Sequence, residues 1–313
     1  EFTLAKQYLV PFACPIMQSC MEMGLSGAYK GVKAVMIPTM CDTLRCITQD
    51  FKTGVKDIVT IPFTLTQNRG LKAAEEYLTE EFRYVKETIE EVYQVSVTEE
   101  AMQASIEVYN AHNKEMRTFA ELANKHLDLI TPSVRHDVFK SAWFMTKAEH
   151  LEVVREINQS LAELPEAAFD GKRVILTGIT AEPQAFLKIL EDNHIAVVGD
   201  DLAHEMRQYR TDIPEGENAL VRLVRQWAER VDPMAHDDEI RRVDLLKKLA
   251  DENKAQAVLV CLMKFCDPEE YEYVAYSKEL KAMGYPVLSI DIDQQPDTYD
   301  QARTRIQTLA EML

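Results

Sequence analysis

Seven short apolar runs, each followed by a helical pattern, limit the folds open to this chain more than any other sequence feature. The runs are YLVPFA (8–13), KAVMIPT (33–39), IVTIPFTL (58–65), RVILTGI (173–179), IAVVGDD (195–201), AVLVCLM (257–263) and YPVLSIDI (285–292). Continuous apolar runs separated by helices are typical of parallel strands that are buried on both faces. The sequence therefore predicts an α/β fold.

The distribution of these runs predicts the domain organisation. No such run lies between about residues 70 and 168, where charged periodic tracts indicate helices. From Lys172 onward a strand and a helix alternate four times, which predicts a Rossmann-like, doubly wound sheet. We expect an N-terminal α/β domain (1–95), a helical connector (96–168) and a C-terminal Rossmann-like α/β domain (169–313).

Charge and hydropathy argue against two classes of partner. Lys and Arg total 35 against 52 Asp and Glu, so the formal charge of −17 repels nucleic acid. The apolar runs are far shorter than the roughly 20 residues that cross a bilayer, and no signal-peptide pattern opens the sequence. We expect a cytoplasmic protein without a membrane anchor. The chain begins at Glu1 rather than Met, and we expect further residues to precede it.

The six cysteines lie in three close pairs, at positions 14/20, 41/46 and 261/266. In a reducing compartment such clustering indicates metal binding, redox chemistry or simple burial. Cys14, Cys41 and Cys266 each lie at or just after the C-terminal end of a predicted strand, the edge where α/β sheets bind ligands. Three thiolates that leave one position open suit an iron–sulfur cubane better than structural zinc, which takes four ligands.

The same cysteines also allow a simpler interpretation. Cysteine is among the most frequently buried residues and behaves as a small apolar side chain. Cys20 and Cys46 lie inside predicted helices and Cys261 inside a predicted strand, so we expect these three to be core residues. Cys41 lies next to a predicted helix start, where the helix dipole lowers the pKa of a thiol. Residue spacing alone leaves metal binding and burial both open.

Five segments of the chain resemble the 2-hydroxyacyl-CoA dehydratases, a family related to the benzoyl-CoA reductases. The segments are CPIMQSCMEMGLSGAYKGVKAVMIPTMCDTLR, IPFTLTQNR, GDDLAHEMRQYRTDIPEG, LMKFCDPEEYEY and DIDQQPDTYDQARTRIQTLAE. They span almost the whole chain, and CDTLR and KFCDPEE are the most specific. The chain most resembles the smaller, beta-type subunit of the heterodimeric enzymes.

The resemblance implies a cofactor, a reaction and partners. It implies Rossmann-like domains and a [4Fe-4S] cluster bound by Cys14, Cys41 and Cys266, with the other three cysteines outside the motif. The implied reaction eliminates water from an (R)-2-hydroxyacyl-CoA substrate through a ketyl radical to give an (E)-2-enoyl-CoA. The implied partners are an alpha-type subunit and an ATP-dependent iron–sulfur activator that delivers the first electron.

Two alternatives to this hypothesis stay open. The paired spacing is compatible with a double-cubane iron–sulfur reductase of the same fold, in which all six cysteines bind two clusters. A chain without any cluster would instead be a non-catalytic acyl-CoA-binding scaffold with buried thiols. Iron content separates the three: about four atoms per chain for one cubane, about eight for two, and none for the scaffold.

The other polar residues that the sequence singles out are explained by helix capping or by solvation more readily than by ligand binding. In GDDLAHE (199–205) we expect the carboxylates to cap the following helix. Arg45 and Arg69 are candidates for a CoA phosphate or an acidic partner, although we expect both to be solvated on the surface. The seven histidines are scattered without the spacing of a metal site.

Overall fold

The computed structural model describes residues 2–231, 241–293 and 299–313. Six parallel strands and eleven α-helices are present among these residues, in a mixed α/β arrangement. The strands are β1 (Ala34–Pro38), β2 (Val59–Phe63), β3 (Lys172–Gly178), β4 (Ile195–Leu202), β5 (Ala257–Met263) and β6 (Val287–Ile292). The helices are α1 (Pro15–Leu25), α2 (Asp42–Gly54), α3 (Lys72–Tyr93), α4 (Glu99–Ala123), α5 (Pro132–Ser141), α6 (Lys147–Glu163), α7 (Gln184–Asp192), α8 (Ala219–Glu229), α9 (Arg242–Glu252), α10 (Asp267–Ala282) and α11 (Asp300–Met312).

The described residues form two compact units. The two-strand unit takes its residues from Glu1–Ala104, Ile213–Ile240 and Lys264–Pro268, and the four-strand unit takes the remainder. The predicted division at residues 95 and 168 stays a prediction. We describe each unit separately below.

The two-strand unit is built around the parallel pair β1 and β2, which run in register from Ala34 opposite Val59 to Pro38 opposite Phe63. Apolar side chains from α1 and α2, among them Met21, Ile47 and Phe51, form one core. A second core joins β2 to α3 and α8. Burial of these apolar faces stabilises the unit because each removes apolar surface from water.

The strand predicted over residues 8–13 is wrong. A short 3₁₀ helix (Ala5–Gln7) and a loop occupy this region, with Val10 and Phe12 exposed. Ala5, Leu9 and Ala13 are the buried residues, and their spacing of four is that of a helical face rather than the alternation of a strand. Pro11, which has no main-chain N–H, also disfavours a strand that is paired on both sides.

The four-strand unit contains a fully parallel sheet with the strand order β4-β3-β5-β6. The chain leaves β3 for the edge strand β4 and returns on the other side of β3 at β5, so the order reverses between β3 and β5. This is the doubly wound pattern that the sequence predicts. Residues from β3, β4 and β5, including Ile175, Val198 and Val258, pack with Leu246 and Leu280 in the core.

The predicted helical segment between residues 70 and 168 is confirmed. It contains α3, α4, α5 and α6 and no strand among its residues, all of which are described. Within the four-strand unit, Phe119, Phe139 and Tyr209 stack edge to face or tilted and form the centre of a separate core. In the part of the chain that the structure describes, no helix is both long enough and apolar enough to span a bilayer.

Candidate functional site

Cys14, Cys41 and Cys266 share one structural position, because each is the residue directly before a helix. Cys14 precedes α1, Cys41 precedes α2 and Cys266 precedes α10. Cys41 and Cys266 each follow the end of a strand, β1 or β5, by three residues, as expected. Cys14 follows a loop instead of the predicted strand. All three lie in segments that belong to the two-strand unit.

The local sequence explains why helices begin at these cysteines. Pro15 occupies the first turn of α1, where its missing N–H has no helical partner to lose. Cys41 has the extended backbone of a helix N-cap (φ −134°, ψ 173°), and its Sγ accepts a hydrogen bond from the N–H of Leu44 at 3.5 Å. A thiol here replaces the Ser, Thr or Asp that usually caps a helix. The sulfur atom thus lies next to main-chain N–H donors.

Burial and hydrogen bonds act on the pKa values of two of these thiols in opposite directions. Burial raises the pKa of Cys14, while the N–H groups of Ile16 and Met17 lower it by less. Burial likewise raises the pKa of Cys41 above its ordinary value, against the N–H groups of Leu44 and Thr43. Without an electrophilic ligand both thiols therefore favour the protonated form, and a bound metal would displace that proton.

Charge interactions place the three segments near one another. After burial, the charge of Cys41 contributes to the raised pKa of Cys14, and the carboxylate of Asp267 contributes to that of Cys41. Asp267 is the neighbour of Cys266. Within residues 2–231, 241–293 and 299–313, however, no group of three or more His, Cys, Asp and Glu side chains is close enough to hold a metal ion.

Two glycines allow α1 and α2 to pack closely. A Cβ atom on Gly24 of α1 would lie 2.8 Å from the Phe51 ring and 2.9 Å from Val55. A Cβ on Gly54, the last residue of α2, would lie 2.9 Å from the methyl carbon of Met21. A larger residue at either position would require these side chains or the helices that carry them to shift. Cys14 and Cys41 directly precede the two helices that meet at this contact.

The remaining cysteines occupy the interiors of helices and strands. Cys20 lies in α1, where burial raises its pKa and a hydrogen bond with Tyr29 opposes the rise. Cys46 lies in α2 and is exposed, so the expectation that it is a core residue is wrong. Cys261 lies within β5 in the four-strand unit and is fully buried, which raises its pKa well above the ordinary value.

The carboxylates of GDDLAHE bind buried cations in the four-strand unit, and Asp200 Oδ1 also accepts a hydrogen bond at 3.0 Å from the N–H of Met206, the first residue of the following 3₁₀ helix. Arg135 donates to Glu205 at 2.6 Å and also to Asp200. His136 Nδ1 lies 2.8 Å from Glu205. Burial alone would lower the pKa of His136, but hydrogen bonds with Glu182 and Glu205 outweigh it and raise the pKa to about 9. The interpretation of this motif as a helix cap is therefore confirmed for Asp200 and wrong for Glu205, whose side chain does not cap the helix.

Asp201 is the centre of a second buried set of charges. Arg207 and Arg242 each reach its carboxylate at 3.0 Å, and Arg210 does so at 2.9 Å. Arg242 continues to Glu269 at 2.9 Å and donates to Thr177 Oγ1. Burial opposes ionisation of Asp201, yet the three guanidinium groups hold its pKa well below the ordinary range. These partners were missed from the sequence, although MRQYR directly after DDLAHE carries two of them.

The two arginines singled out in the sequence differ in their environment. Arg45 is exposed and lies 3.8 Å from Asp42, as expected for a solvated side chain. Arg69 is only 8% exposed, so the expectation of a solvated Arg69 is wrong. In the DIDQQPDTYD segment, residues 294–298 lie outside the described part of the chain.

The fold and the cysteine positions define a class: a parallel α/β protein in which three helices begin directly after cysteines. The whole chain, residues 1–313, matches the family described as 2-hydroxyglutaryl-CoA dehydratase, D-component. The chain therefore belongs to this family, which confirms the resemblance of its motifs.

Characterised relatives agree with this assignment. The chain is 41% identical to the (R)-phenyllactyl-CoA dehydratase beta subunit of Clostridium sporogenes, over 100% of this chain and 84% of that protein. It is 38% identical to the lactoyl-CoA dehydratase subunit beta of Anaerotignum propionicum, over 99% and 82% of the two chains. It is 36% identical to the (R)-2-hydroxyglutaryl-CoA dehydratase subunit beta of Acidaminococcus fermentans, over 99% and 83%. All three relatives are beta subunits of acyl-CoA dehydratases.

Proposed function

We propose that this chain is the beta-type subunit of an (R)-2-hydroxyacyl-CoA dehydratase and that Cys14, Cys41 and Cys266 bind a [4Fe-4S] cluster. The reaction would eliminate water to give an (E)-2-enoyl-CoA. It would proceed through a ketyl radical anion of the thioester, formed with one electron from an ATP-dependent activator. An alpha-type subunit would complete the enzyme, since the named relatives are beta subunits.

The observation that carries the proposal is the common position of the three cysteines. Each thiol lies at a helix start within one unit, and Cys41 already accepts a main-chain hydrogen bond. The main-chain N–H groups at the helix starts favour the thiolate form, although burial outweighs them in the free thiols, and hydrogen bonds to ligating sulfur atoms tune the potential of a bound cluster. Among the described His, Cys, Asp and Glu side chains, no three lie close enough together to bind one metal ion. Three cysteine ligands of a cubane do not need to be that close, because each thiolate binds a different iron atom.

In this proposal, the residues of this chain bind the cluster and stabilise its charge. The three cysteines would hold the cluster, and the main-chain N–H groups at the starts of α1 and α2 would stabilise the negative charge on their sulfur atoms. When bound, the cluster would supply a one-electron carrier. The partial burial of Cys14 and Cys41 would limit the contact of these sulfur atoms with water. The identity of the acyl group is not part of the proposal.

Cys261 argues for one cluster rather than two. Cys261 is fully buried inside β5, and at this position β5 pairs with β3 on one side and with β6 on the other. A second cluster that used Cys261 would require displacement of the central sheet. Cys46, by contrast, is exposed and accessible. The contrast makes the six-cysteine alternative the weaker one.

The test is an anaerobic preparation of the full chain, followed by analysis of iron and acid-labile sulfide. We expect about four iron atoms per chain. About eight would favour the double-cubane alternative, and the absence of iron after reconstitution, with six titratable thiols, would favour the acyl-CoA-binding scaffold.

The activity is tested separately with an alpha-type subunit, an activator and ATP. The substrates are phenyllactyl-CoA, lactoyl-CoA and 2-hydroxyglutaryl-CoA, in their (R) forms. We expect formation of an enoyl-CoA from at least one ester, dependent on both ATP and the activator. Dehydration that proceeds equally well without ATP would contradict the radical route.

A further inference from the structure

Glu269 is a buried carboxylate in the first turn of α10, three residues after Cys266. It is fully buried, whereas its neighbour Glu270 is exposed. An acidic side chain in the first turn favours a helix through the helix dipole and does not need burial to do so. Burial of a carboxylate is costly unless cations pair with it inside the protein.

Two arginines from other elements of the four-strand unit bind this carboxylate. Arg242, the first residue of α9, donates from Nη1 to Oε2 of Glu269 at 2.9 Å and from Nη2 to Oε1 at 3.2 Å. Arg207 Nη2, in the 3₁₀ helix that follows β4, lies 3.5 Å from the same Oε1. Arg242 also donates to Thr177 on β3, at 2.7 Å, and to Asp201 on β4, at 3.0 Å. Glu269 thereby attaches α10 to α9 and to two strands.

A gain in stability does not by itself explain the pair of Glu269 and Arg242. Replacement of a buried ion pair by apolar side chains of similar volume is often neutral or stabilising. A pair with two parallel N–H···O bonds adds a defined geometry, because the planar guanidinium binds both carboxylate oxygens in one orientation. This pair therefore fixes the position and the rotation of α10 close to its first residue.

The chain just before α10 makes Cys266 sensitive to the position of that helix. Met263 ends β5 and Asp267 begins α10, so only three residues connect the strand to the helix. Phe265, the second of these three, has a φ of 60°, in the left-handed region that a bulky side chain disfavours. Such a backbone persists where the surrounding structure holds it. Release of the helix start would let this connection relax, and Cys266 would move with it.

We propose that Glu269 is a positioning residue for Cys266. Its pair with Arg242 holds the first turn of α10 and, through it, the thiol that directly precedes the helix. This inference rests on the proposed function, since the thiol so held would be a ligand of the cluster.

The other two cysteine helices lack this device. The first turn of α1 contains no acidic residue. The acidic residue in the first turn of α2 is Asp42, whose side chain is 88% exposed. The effect of Glu269 should therefore be specific to Cys266, and Cys14 and Cys41 serve as internal controls.

The test is alkylation of the metal-free full chain with iodoacetamide, with the rate at each cysteine measured by mass spectrometry. Glu269→Gln should raise the rate at Cys266 by about threefold or more, because local opening exposes the thiol, and should leave Cys14 and Cys41 unchanged. Glu270→Gln removes the same charge from the next, exposed position and should react as the unmodified chain does. An unchanged rate at Cys266 in Glu269→Gln, or an equal rise at all three cysteines, would overturn the proposal.

A second variant keeps the test decisive if Glu269→Gln fails to fold. Arg242→Lys keeps the positive charge beside Asp201, but lysine cannot bind both oxygens of Glu269. We expect a rise in alkylation at Cys266 alone, with unchanged circular dichroism. Because the net charge is the same, this rise would report a change in position rather than in electrostatics. An unchanged rate at Cys266 would contradict the role of the pair.

The iron-loaded chain gives a readout that separates this inference from the proposed function. A chelator should remove iron from Glu269→Gln about threefold faster or more than from the unmodified chain and from Glu270→Gln. Equal rates in the three loaded chains would overturn the positioning role and leave the cluster intact. If the unmodified chain binds no iron, the proposed function fails, and the alkylation rates still decide whether Glu269 positions Cys266.

Discussion

The two units differ in the chemistry of the polar groups that they bury fully or in part. In the four-strand unit, buried carboxylates such as Asp201 and Glu205 pair with arginines and a histidine of the same unit. In the two-strand unit, Cys14 and Cys41 lie at helix starts with raised pKa values, and the indole N–H of Trp227 has no acceptor among the described residues. Buried carboxylates that pair with guanidinium groups indicate a role in stability, whereas thiols at helix starts are the groups that the proposed cluster would use.

The largest effect that this comparison predicts is loss of the cluster. We expect Cys41→Ala and Cys266→Ala each to lose nearly all iron and the visible absorbance of an anaerobic preparation, because each removes one of three ligands. Cys46→Ala is the matched control, since Cys46 is exposed and lies inside α2, the helix that begins directly after Cys41. Equal loss of iron from all three variants would contradict the assignment of ligands.

The next largest expected effect is a loss of stability when a buried charge of the four-strand unit is removed. Asp201→Asn removes the charge that three arginines share, and breaking a buried ion pair from one side typically costs about 3–5 kcal/mol. Urea unfolding followed by circular dichroism measures this loss. Asp244→Asn, whose carboxylate is mostly exposed and lies 3.9 Å from Arg241, should change the free energy of unfolding by less than about 0.5 kcal/mol. Similar losses for both variants would show that the buried set is not a stabilising network.

A buried histidine predicts a loss of stability in acid. His112 Nε2 lies 2.8 Å from His150 Nδ1, and burial, with smaller contributions from Lys147 and His150, lowers the pKa of His112 to about 3. As the pH falls below about 6.5, the unfolded chain binds a proton that folded His112 does not bind, so stability decreases until the pH reaches the folded pKa. This histidine should remove about 3 kcal/mol between pH 6.5 and 4.

The measurement compares the pH dependence of urea unfolding in three chains. His112→Gln should have a shallower dependence than the unmodified chain between pH 6.5 and 4, because the titrating group is absent. His194→Asn, at a largely exposed histidine that pairs with the exposed Asp170, is the comparison and should change the slope less than His112→Gln does. A slope in His112→Gln identical to that of the unmodified chain would show that other groups account for the acid sensitivity.

The smallest expected effect is the loss of stability when the N-terminal cap of α6 is removed. Thr146 and Glu149 form a capping box at the start of α6, with hydrogen bonds in both directions. Thr146→Ala should reduce the free energy of unfolding by about 1 kcal/mol. Thr118→Ala, at a half-buried position inside α4 that caps no helix, is the control and should have less than half that effect. If the two values agree, the cap does not contribute to stability.

The sequence predicted the parts of the fold that depend on local apolar patterns. The six strands from residue 34 onward and the helices between residues 70 and 168 follow such patterns and are confirmed. The strand prediction for residues 8–13 was wrong because their composition resembles a strand, while the buried residues Leu9 and Ala13 follow helical spacing. The period of burial cannot be read within so short an apolar run.

The sequence predicted much less about polar side chains. The burial of Arg69 and the partners of Asp201 depend on contacts between residues far apart in the chain, such as Arg69 with Trp227 and Asp201 with Arg242. No local pattern encodes these contacts. The start of a helix at Cys41 was foreseen from Asp42 and Thr43, while the equivalent positions of Cys14 and Cys266 became evident only in the structure.

Gly24 connects the contact between α1 and α2 with a position far from the proposed ligands. It lies ten positions after Cys14, about 15 Å along α1 from the thiol. A methyl group there would lie 2.8 Å from the Phe51 ring and 2.9 Å from Val55, so these side chains or their helices would have to shift. A substitution at this glycine would therefore alter the packing of the helix that begins after Cys14 without touching the thiol.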